Sequence, residues 1–419
     1  MVHVHGRDVG VRARSSSRAE PRLLVPVDVG KYEAMTLVAD GGGERLLAPF
    51  GFMLDRPGLA GFVNRVSRVA AGRDVCQIEV GVEAAGHYHR PIIASGVLPS
   101  GWKLIELNPA HVTEQRRVLG KRGVKTDQID LTAMFDLLVA GRGREVTSGP
   151  DPMLELSSWV TLRHRRVATI IATKNQLLGQ MDRAFPGAGR CVTSSLLDVK
   201  VGRLVIAHFA DPDRLARLGV DRFRQFAANR DVMVNRDVAE RFVAAARAAL
   251  PLDGAEVARQ VLASELALLE RLETDANHAE QRIGELLPQT PFAVLLSTPG
   301  WSTIRVGRYA AAIGDPDRWP GPRQVYRASG LTPFIYQSSG TRYHGKICRE
   351  GSVELRGALL ELGMGLWLCD QASQSRIAAL KARGKPSGII ACAMANRANR
   401  IAFAMVRDQT PYDPQRWKD

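Results

Sequence analysis

The stretch LLVPVDVGKYEAMTLVADGGGERLLAPF, residues 23–50, decides how the chain begins to fold. Three apolar runs, LLVPVD, AMTLVA and ERLLAPF, are parted by VGKYE and DGGGE. Short apolar runs bounded by Gly, Asp and Lys predict three strands joined by tight turns. A polypeptide that opens this way starts with an antiparallel meander.

Outward from there the pattern changes. RPGLAGFVNRVSRVAAG (56–72) has helical spacing, VCQIEVGVE (75–83) reads as a fourth strand, and GHYHRPIIASGV (86–97) as a helix. WKLIEL (102–107) reads as a fifth strand; NPAHVTEQRRVLG (108–120) and TDQIDLTAMFDLLVAG (126–141) read as helices. The order β-β-β-α-β-α-β-α predicts a mixed five-stranded sheet with an antiparallel edge and helices on its faces. Small phosphodiester-cleaving domains of the RNase H type share this order, although order alone does not fix function.

The remainder reads as helical. Residues 153–181 and 236–287 carry helical periodicity. Leu262, Leu269, Ala276 and Ile283 recur every seven residues, with Leu272, Ala279 and Leu286 beside them. That stripe predicts a short coiled coil, or equally an amphipathic helix packed on its own domain. Residues 185–232 are poorly periodic and read as an insertion. From 290 onward, LLSTPGWSTIRVGRYAAAIGDPDRW (295–319) reads as helix, Pro-Gly turn, helix, a hairpin that can point turn amides at phosphates. ASGLTPFIYQSSGTRYHGKICREGSVELRGALLELG (328–363) has Gly- and Ser-rich loop character, and ANRANRIAFAMVRD (395–408) is a basic final helix. The expected organisation is a basic arm (1–22), an α/β domain (23–150), a helical middle with the insertion (151–289), and a mostly α-helical C-terminal domain (290–419).

With 57 Lys and Arg against 43 Asp and Glu, the net charge of +14 favours polyanionic partners. Five cysteines without a CxxC pair argue against structural zinc and a disulfide framework, and for a reducing cytoplasm. The absence of a long apolar run argues against a membrane partner, and the N-terminus lacks the apolar core of a secretory signal.

The acids carry the chemistry. Asp28 ends the first predicted strand and Glu83 the fourth. Asp127 and Asp130 stand near a helix start, with Thr126 placed as N-cap, and a spacing of three puts them on one helix face. In the fold just described the four can converge. Clustered carboxylates need cations, and one or two Mg²⁺ ions suit hard oxygen donors and phosphodiester chemistry. His87 and His89 flank Tyr88; without a third ligand at matching spacing, they read as surface residues at a helix start.

Ser338 and Ser339 precede Gly340, with Arg342, His344, Lys346, Arg349 and Arg356 around them. Such a basic surround can hold phosphates. Neither a GxSxG elbow nor a P-loop occurs, so a hydrolase serine and ATP-driven chemistry are unsupported.

VDVGK (27–31), VEAAGHY (82–88), NPAHV (108–112) and KTDQID (125–130) resemble the N-terminal domain of the DEDD transposases of bacterial insertion sequences. TPGWSTIRVGRYAAAIGD (298–315), ASGLTP (328–333), SSG (338–340) and GSVELRGALL (351–360) resemble that family's C-terminal domain. The resemblance spans roughly 23–145 and 293–410. It implies an RNase H-like (RuvC-like) domain binding Mg²⁺ through Asp28, Glu83, Asp127 and Asp130, and a serine that attacks DNA to form a transient phosphoserine. It also implies a composite site shared across subunits of a dimer or tetramer through the coiled coil. A structured bridge RNA would select donor and target DNA in the bacterial cytoplasm, at the nucleoid. Base pairing then reads sequence while basic residues such as Lys125, Arg342, Lys346, Arg349 and Arg356 hold backbones. Counting from Pro333 favours Ser338 as the nucleophile; matching the Ser-Gly pair favours Ser339. Two other readings remain: a Mg²⁺-dependent junction nuclease using the acids alone, and a non-catalytic nucleic-acid-binding protein.

Overall fold

The structure is a computed structural model describing residues 22–73, 75, 77–84, 88–93, 98–119, 126–146, 152–250, 255–338 and 341–417, with backbone alone for 335–345. It divides into two units, 1–150 and 151–419.

The first unit is a six-stranded mixed sheet. Strands β1 (Arg22–Val29), β2 (Glu33–Asp40) and β3 (Arg45–Met53) form the antiparallel meander. Helix α1 (Arg56–Ala71) leads to β4 (Gln77–Glu83), which pairs parallel to β1. A single turn, α2 (Arg90–Ile93), precedes β5 (Trp102–Leu107), and helices α3 (Pro109–Val118) and α4 (Asp127–Val139) follow. The two-residue strand β6 (Arg144–Glu145) closes the order β3-β2-β1-β4-β5-β6. The sequence showed five of these strands; β6 is too short for periodicity to reveal. Of the helix expected over 86–97, the structure shows the turn α2, and 85–87 and 94–97 lie outside the described residues.

Alternation along the strands sorts the side chains. Leu23, Val25, Val27, Ile78, Val80 and Val82 point into one core with Phe52 and Phe62, whose rings stack at 4.6 Å. Leu24 joins the opposite core with Leu107, Met134, Leu137 and Leu138. Gly81 lies on that second face, where a Cβ would stand 2.7 Å from Leu138 Cδ1. Its bare backbone lets α4 lie close on the sheet. Asp55, Asn108 and Thr126 cap α1, α3 and α4 with their side-chain oxygens.

The second unit is helical around two cores. Helix α5 (Pro152–Ala184) is followed by α6 (Lys200–His208), α7 (Pro212–Leu218), α8 (Val220–Ala228) and α9 (Arg236–Ala248), then by the long α10 (Ala255–Leu286). The stretch read as an unperiodic insertion is therefore a helical subdomain. Its core joins Phe185, Phe209, Phe223 and Phe242 to Leu177 and Leu262 of the long helices. The helices within 185–232 are seven to nine residues long, too short for a window of sequence to show clear periodicity. The helical stretch expected over 236–287 is two helices, α9 and α10.

α5 and α10 run antiparallel. Arg282 binds Glu155 at 2.7 Å, Arg163 binds Glu280 at 2.6 Å and Arg166 binds Asp275 at 3.1 Å. Leu269, Ala279 and Ile283 are buried within this one chain. The seven-residue stripe is thus covered by a helix of its own polypeptide.

The C-terminal part continues with a 3-10 segment (Pro291–Ser297), α11 (Thr303–Ile313) and α12 (Pro322–Ala328). A hairpin of β7 (Pro333–Ser338) and β8 (Thr341–Ile347) follows, then α13 (Val353–Cys369), α14 (Gln371–Ala382) and α15 (Ser387–Asp408). One expectation needs correction. The stretch read as loop is this hairpin. At the turn 298–302, Thr298 and Trp301 are buried, with Trp301 Nε1 donating to Leu362 O at 2.9 Å, while Pro299 and Ser302 are exposed. α15 is long and apolar enough to cross a membrane, but Met394, Ala398, Ile401 and Ala402 place it in the core.

Candidate functional site

The acids come first. Asp28 is the penultimate residue of β1 and Glu83 the last of β4; these strands are parallel neighbours with Val27 paired to Val82, so the two acids sit side by side at the strand ends. Alternation puts both on the face that α3 and α4 cover, because Val27, Val29 and Val82 point to the other core. Asp127 is the exposed first residue of α4. Asp130, one turn later, is 2% exposed.

Asp130 has an unforeseen neighbour. Arg116 of α3 puts Nη1 3.0 Å from Asp130 Oδ1. The distance is that of an ion pair, yet the same oxygen makes no aligned hydrogen bond. The two observations agree if the contact is a charge contact with poor direction, which leaves acceptor capacity unused. The only hint in sequence was the basic pair in EQRRV, ahead of the acids.

The four carboxylates do not close into one cage. Among the described residues, no three His, Cys, Asp or Glu side chains are grouped to hold a metal ion. The donor chemistry still suits a hard divalent ion, and Mg²⁺ is commonly held by one or two carboxylates with water and substrate oxygens completing its shell. Asp28 and Glu83 fit such a pair by position. Asp130 fits only once Arg116 turns away. His89, expected at the surface, is 8% exposed and belongs to the packing; His87 lies outside the described residues.

Ser338 is the last residue of β7, at the end of the hairpin. Ser338 pairs with Thr341, so Ser339 and Gly340 are the two residues between the strands. Ser339 lies outside the described residues, and Ser338 and Arg342 are described by backbone alone.

The base of the hairpin is a clasp built from two sequence motifs. Cys348 N donates to Thr332 O at 2.9 Å, Arg349 N to Gly330 O at 3.0 Å and Ser352 N to Ala328 O at 2.9 Å. Buried Ser329 accepts from Leu331 N, and Ser352 caps α13 by accepting from Leu355 N at 3.1 Å. Gly330 has φ +68°, and a Cβ there would meet the Arg349 carbonyl carbon at 2.9 Å. ASGLTP and GSVELRG are thus the two jaws that fix where the tip projects.

Of the expected phosphate contacts, Lys346 and Arg349 are exposed beside the clasp, Arg349 with φ +57°. Arg356 instead turns back on the clasp, with Nη2 3.2 Å from Arg349 O and 3.4 Å from Gly351 O. Lys125 lies outside the described residues.

Comparison with known proteins adds to this geometry. Residues 25–186 match a DEDD transposase family model of the IS110 type, and residues 293–377 match the IS116/IS110/IS902 transposase family. The first span contains all four acids and the second both serines. An insertion element IS110 uncharacterized 43.6 kDa protein of Streptomyces coelicolor is 25% identical over 294 residues, 69% of this chain and 72% of that one. A probable family 20 transposase of Pseudomonas aeruginosa is 27% identical over 158 residues, 35% of this chain and 47% of that one.

Proposed function

The chain belongs to the IS110-type transposases, both family regions being present in order over more than half its length, and on that premise we propose a serine-based, metal-assisted DNA recombinase. The observation that carries the reading is that one family region spans Asp28, Glu83, Asp127 and Asp130 while the other spans the hairpin tip.

The hairpin presents a serine hydroxyl to the DNA backbone. The serine oxygen bonds to phosphorus, the bond from phosphorus to one deoxyribose oxygen breaks, and that oxygen leaves as a hydroxyl carrying the proton. Attack by a deoxyribose hydroxyl on the phosphoserine reverses these steps and releases the serine. One phosphodiester is exchanged for another, so no ATP is consumed. A bound divalent ion supplies charge neutralisation at the phosphate and favours the ionised nucleophile. Asp28 and Glu83 would hold that ion, with Asp127 and, once Arg116 turns away, Asp130 completing the acidic face. Lys346 and Arg349 hold phosphates beside the tip.

Sequence choice is delegated to a bridge RNA pairing with donor and target, which suits a chain of net charge +14. The protein works as a homo-oligomer on bacterial chromosomal DNA in the cytoplasm.

The test is an adduct assay. The full chain, co-expressed with its element's flanking DNA, is mixed with junction DNA and Mg²⁺, denatured, and examined for DNA-linked peptide. An adduct at Ser338 or Ser339 that is lost in Asp28→Ala supports the reading and identifies the serine. Cleavage with no adduct points instead to a junction nuclease acting through the acids alone.

A further inference from the structure

Beneath the hairpin lies a cavity of about 780 Å³, within the range of about 300–1,000 Å³ usual for ligand sites. Its walls come from α12, the start of β7 and α15. Three arginines line it, Arg323, Arg327 and Arg400, opposed by one acid, Glu350. Arg323, Arg327 and Arg400 are exposed, and none has an ion-pair partner among the described residues. Two aromatic rings also line it: Tyr326, whose hydroxyl donates to Cys392 O at 3.0 Å, and Phe334, which is 53% exposed.

Asn399 gives the independent mark. It is fully buried in the cavity wall, and its Nδ2 donates to Pro322 O at 2.6 Å. That bond fixes which end of the amide is which. Its Oδ1 is buried with no hydrogen-bond partner. A buried acceptor left unmatched is uncommon and asks for a donor that the folded chain does not supply.

We propose that this cavity is a subsite for a nucleotide of the DNA strand on which the hairpin serine acts. Unpaired arginines meet its phosphates and the exposed ring offers a stacking face. This rests on the serine reading for the identity of the strand: the cavity and the tip belong to one hairpin. β7 is six residues long, about 17–20 Å, so the subsite lies about five to six stacked nucleotides from the scissile phosphate. A strand anchored there holds the reacting phosphate in register while the rest of the DNA moves.

The test uses the full chain and a fluorescein-labelled, mixed-sequence 12-nucleotide single-stranded DNA, read by anisotropy across a salt series. Arg323→Ala with Arg400→Ala, both exposed side chains, should weaken binding about tenfold and lower the log–log salt slope by about 1.4. A 5-iodouracil version of the probe should cross-link to the peptide holding Tyr326 and Phe334. Unchanged affinity and slope, or cross-links confined to other peptides, would overturn the proposal. So would cross-linking of this peptide by the matching RNA but not by DNA. Ser338→Ala with Ser339→Ala should leave probe binding intact. DNA held in the cavity by a chain that forms no adduct would therefore refute the serine chemistry alone.

Discussion

Arg116 Nη1 stands 3.0 Å from Asp130 Oδ1, in a place where a cation is needed to neutralise a carboxylate that is 2% exposed. The arginine occupies the role that the sequence assigns to a metal. Breaking a buried pair by removing one partner costs about 3–5 kcal/mol, because the other charge is left uncompensated. Arg116→Met should therefore destabilise the metal-free protein by about 3 kcal/mol in urea unfolding. Added Mg²⁺ should raise the melting temperature of the variant more than that of the wild type. An equal response in both would show that Arg116 and the ion do not compete.

Glu273 of α10 receives both terminal nitrogens of Arg203 at 2.7 Å, and these hydrogen bonds hold its carboxyl below the usual carboxylate range. A lowered folded pKa gives stability that is present above the unfolded value of about 4.3 and is lost as pH falls through the folded value. The pair contributes about 1–2 kcal/mol after allowance for partial exposure. Glu273→Gln should reduce stability at pH 7 by that amount and flatten the decline as pH falls below about 4.3. Urea midpoints at pH 7 and along that acid limb decide it; parallel acid profiles would assign the decline to other carboxylates.

Gly330 holds φ +68° against the Arg349 backbone. Gly330→Ala meets strain and a close contact together, for a cost of about 1–3 kcal/mol. The strain is local to the clasp, so adduct formation should fall by at least tenfold while circular dichroism stays unchanged. Full adduct yield in a folded variant would mean that the clasp does not aim the tip.

Leu269 of α10 is buried within its own chain, in the core of the helical subdomain. Leu269→Asn should cost about 3–5 kcal/mol through lost packing and a buried amide. Its melting temperature should fall equally at low and high protein concentration. A fall that vanishes at high concentration would make the stripe a contact between subunits instead.

What was legible in the sequence depended on range. The apolar runs of 23–50 and the cap at Thr126 are local, and local patterns survive without knowledge of the fold. They placed Asp28 and Glu83 at strand ends and Asp127 at a helix start. The Arg116–Asp130 pair joins two helices, and nothing in the spacing of EQRRV announces it. The hairpin hid for another reason: Pro333 and the Ser-Ser-Gly stretch carry loop composition, and the clasp at its base joins residues 328–332 to 348–352, far apart in sequence. The partner of the α10 stripe was likewise invisible, because a heptad pattern says that a seam is covered but not by which chain.

Because α5 and α10 run antiparallel, the helical subdomain leaves and rejoins the protein at neighbouring points. A replacement module must start and end at these neighbouring helix ends and cover Leu177 and Leu262, and the far ends near Glu155 and Arg282 are left in place. The pair is a socket for exchangeable cargo: lineages can lengthen, shorten or swap the module without touching the chemistry, and a designer can fuse a foreign domain at the same doorway.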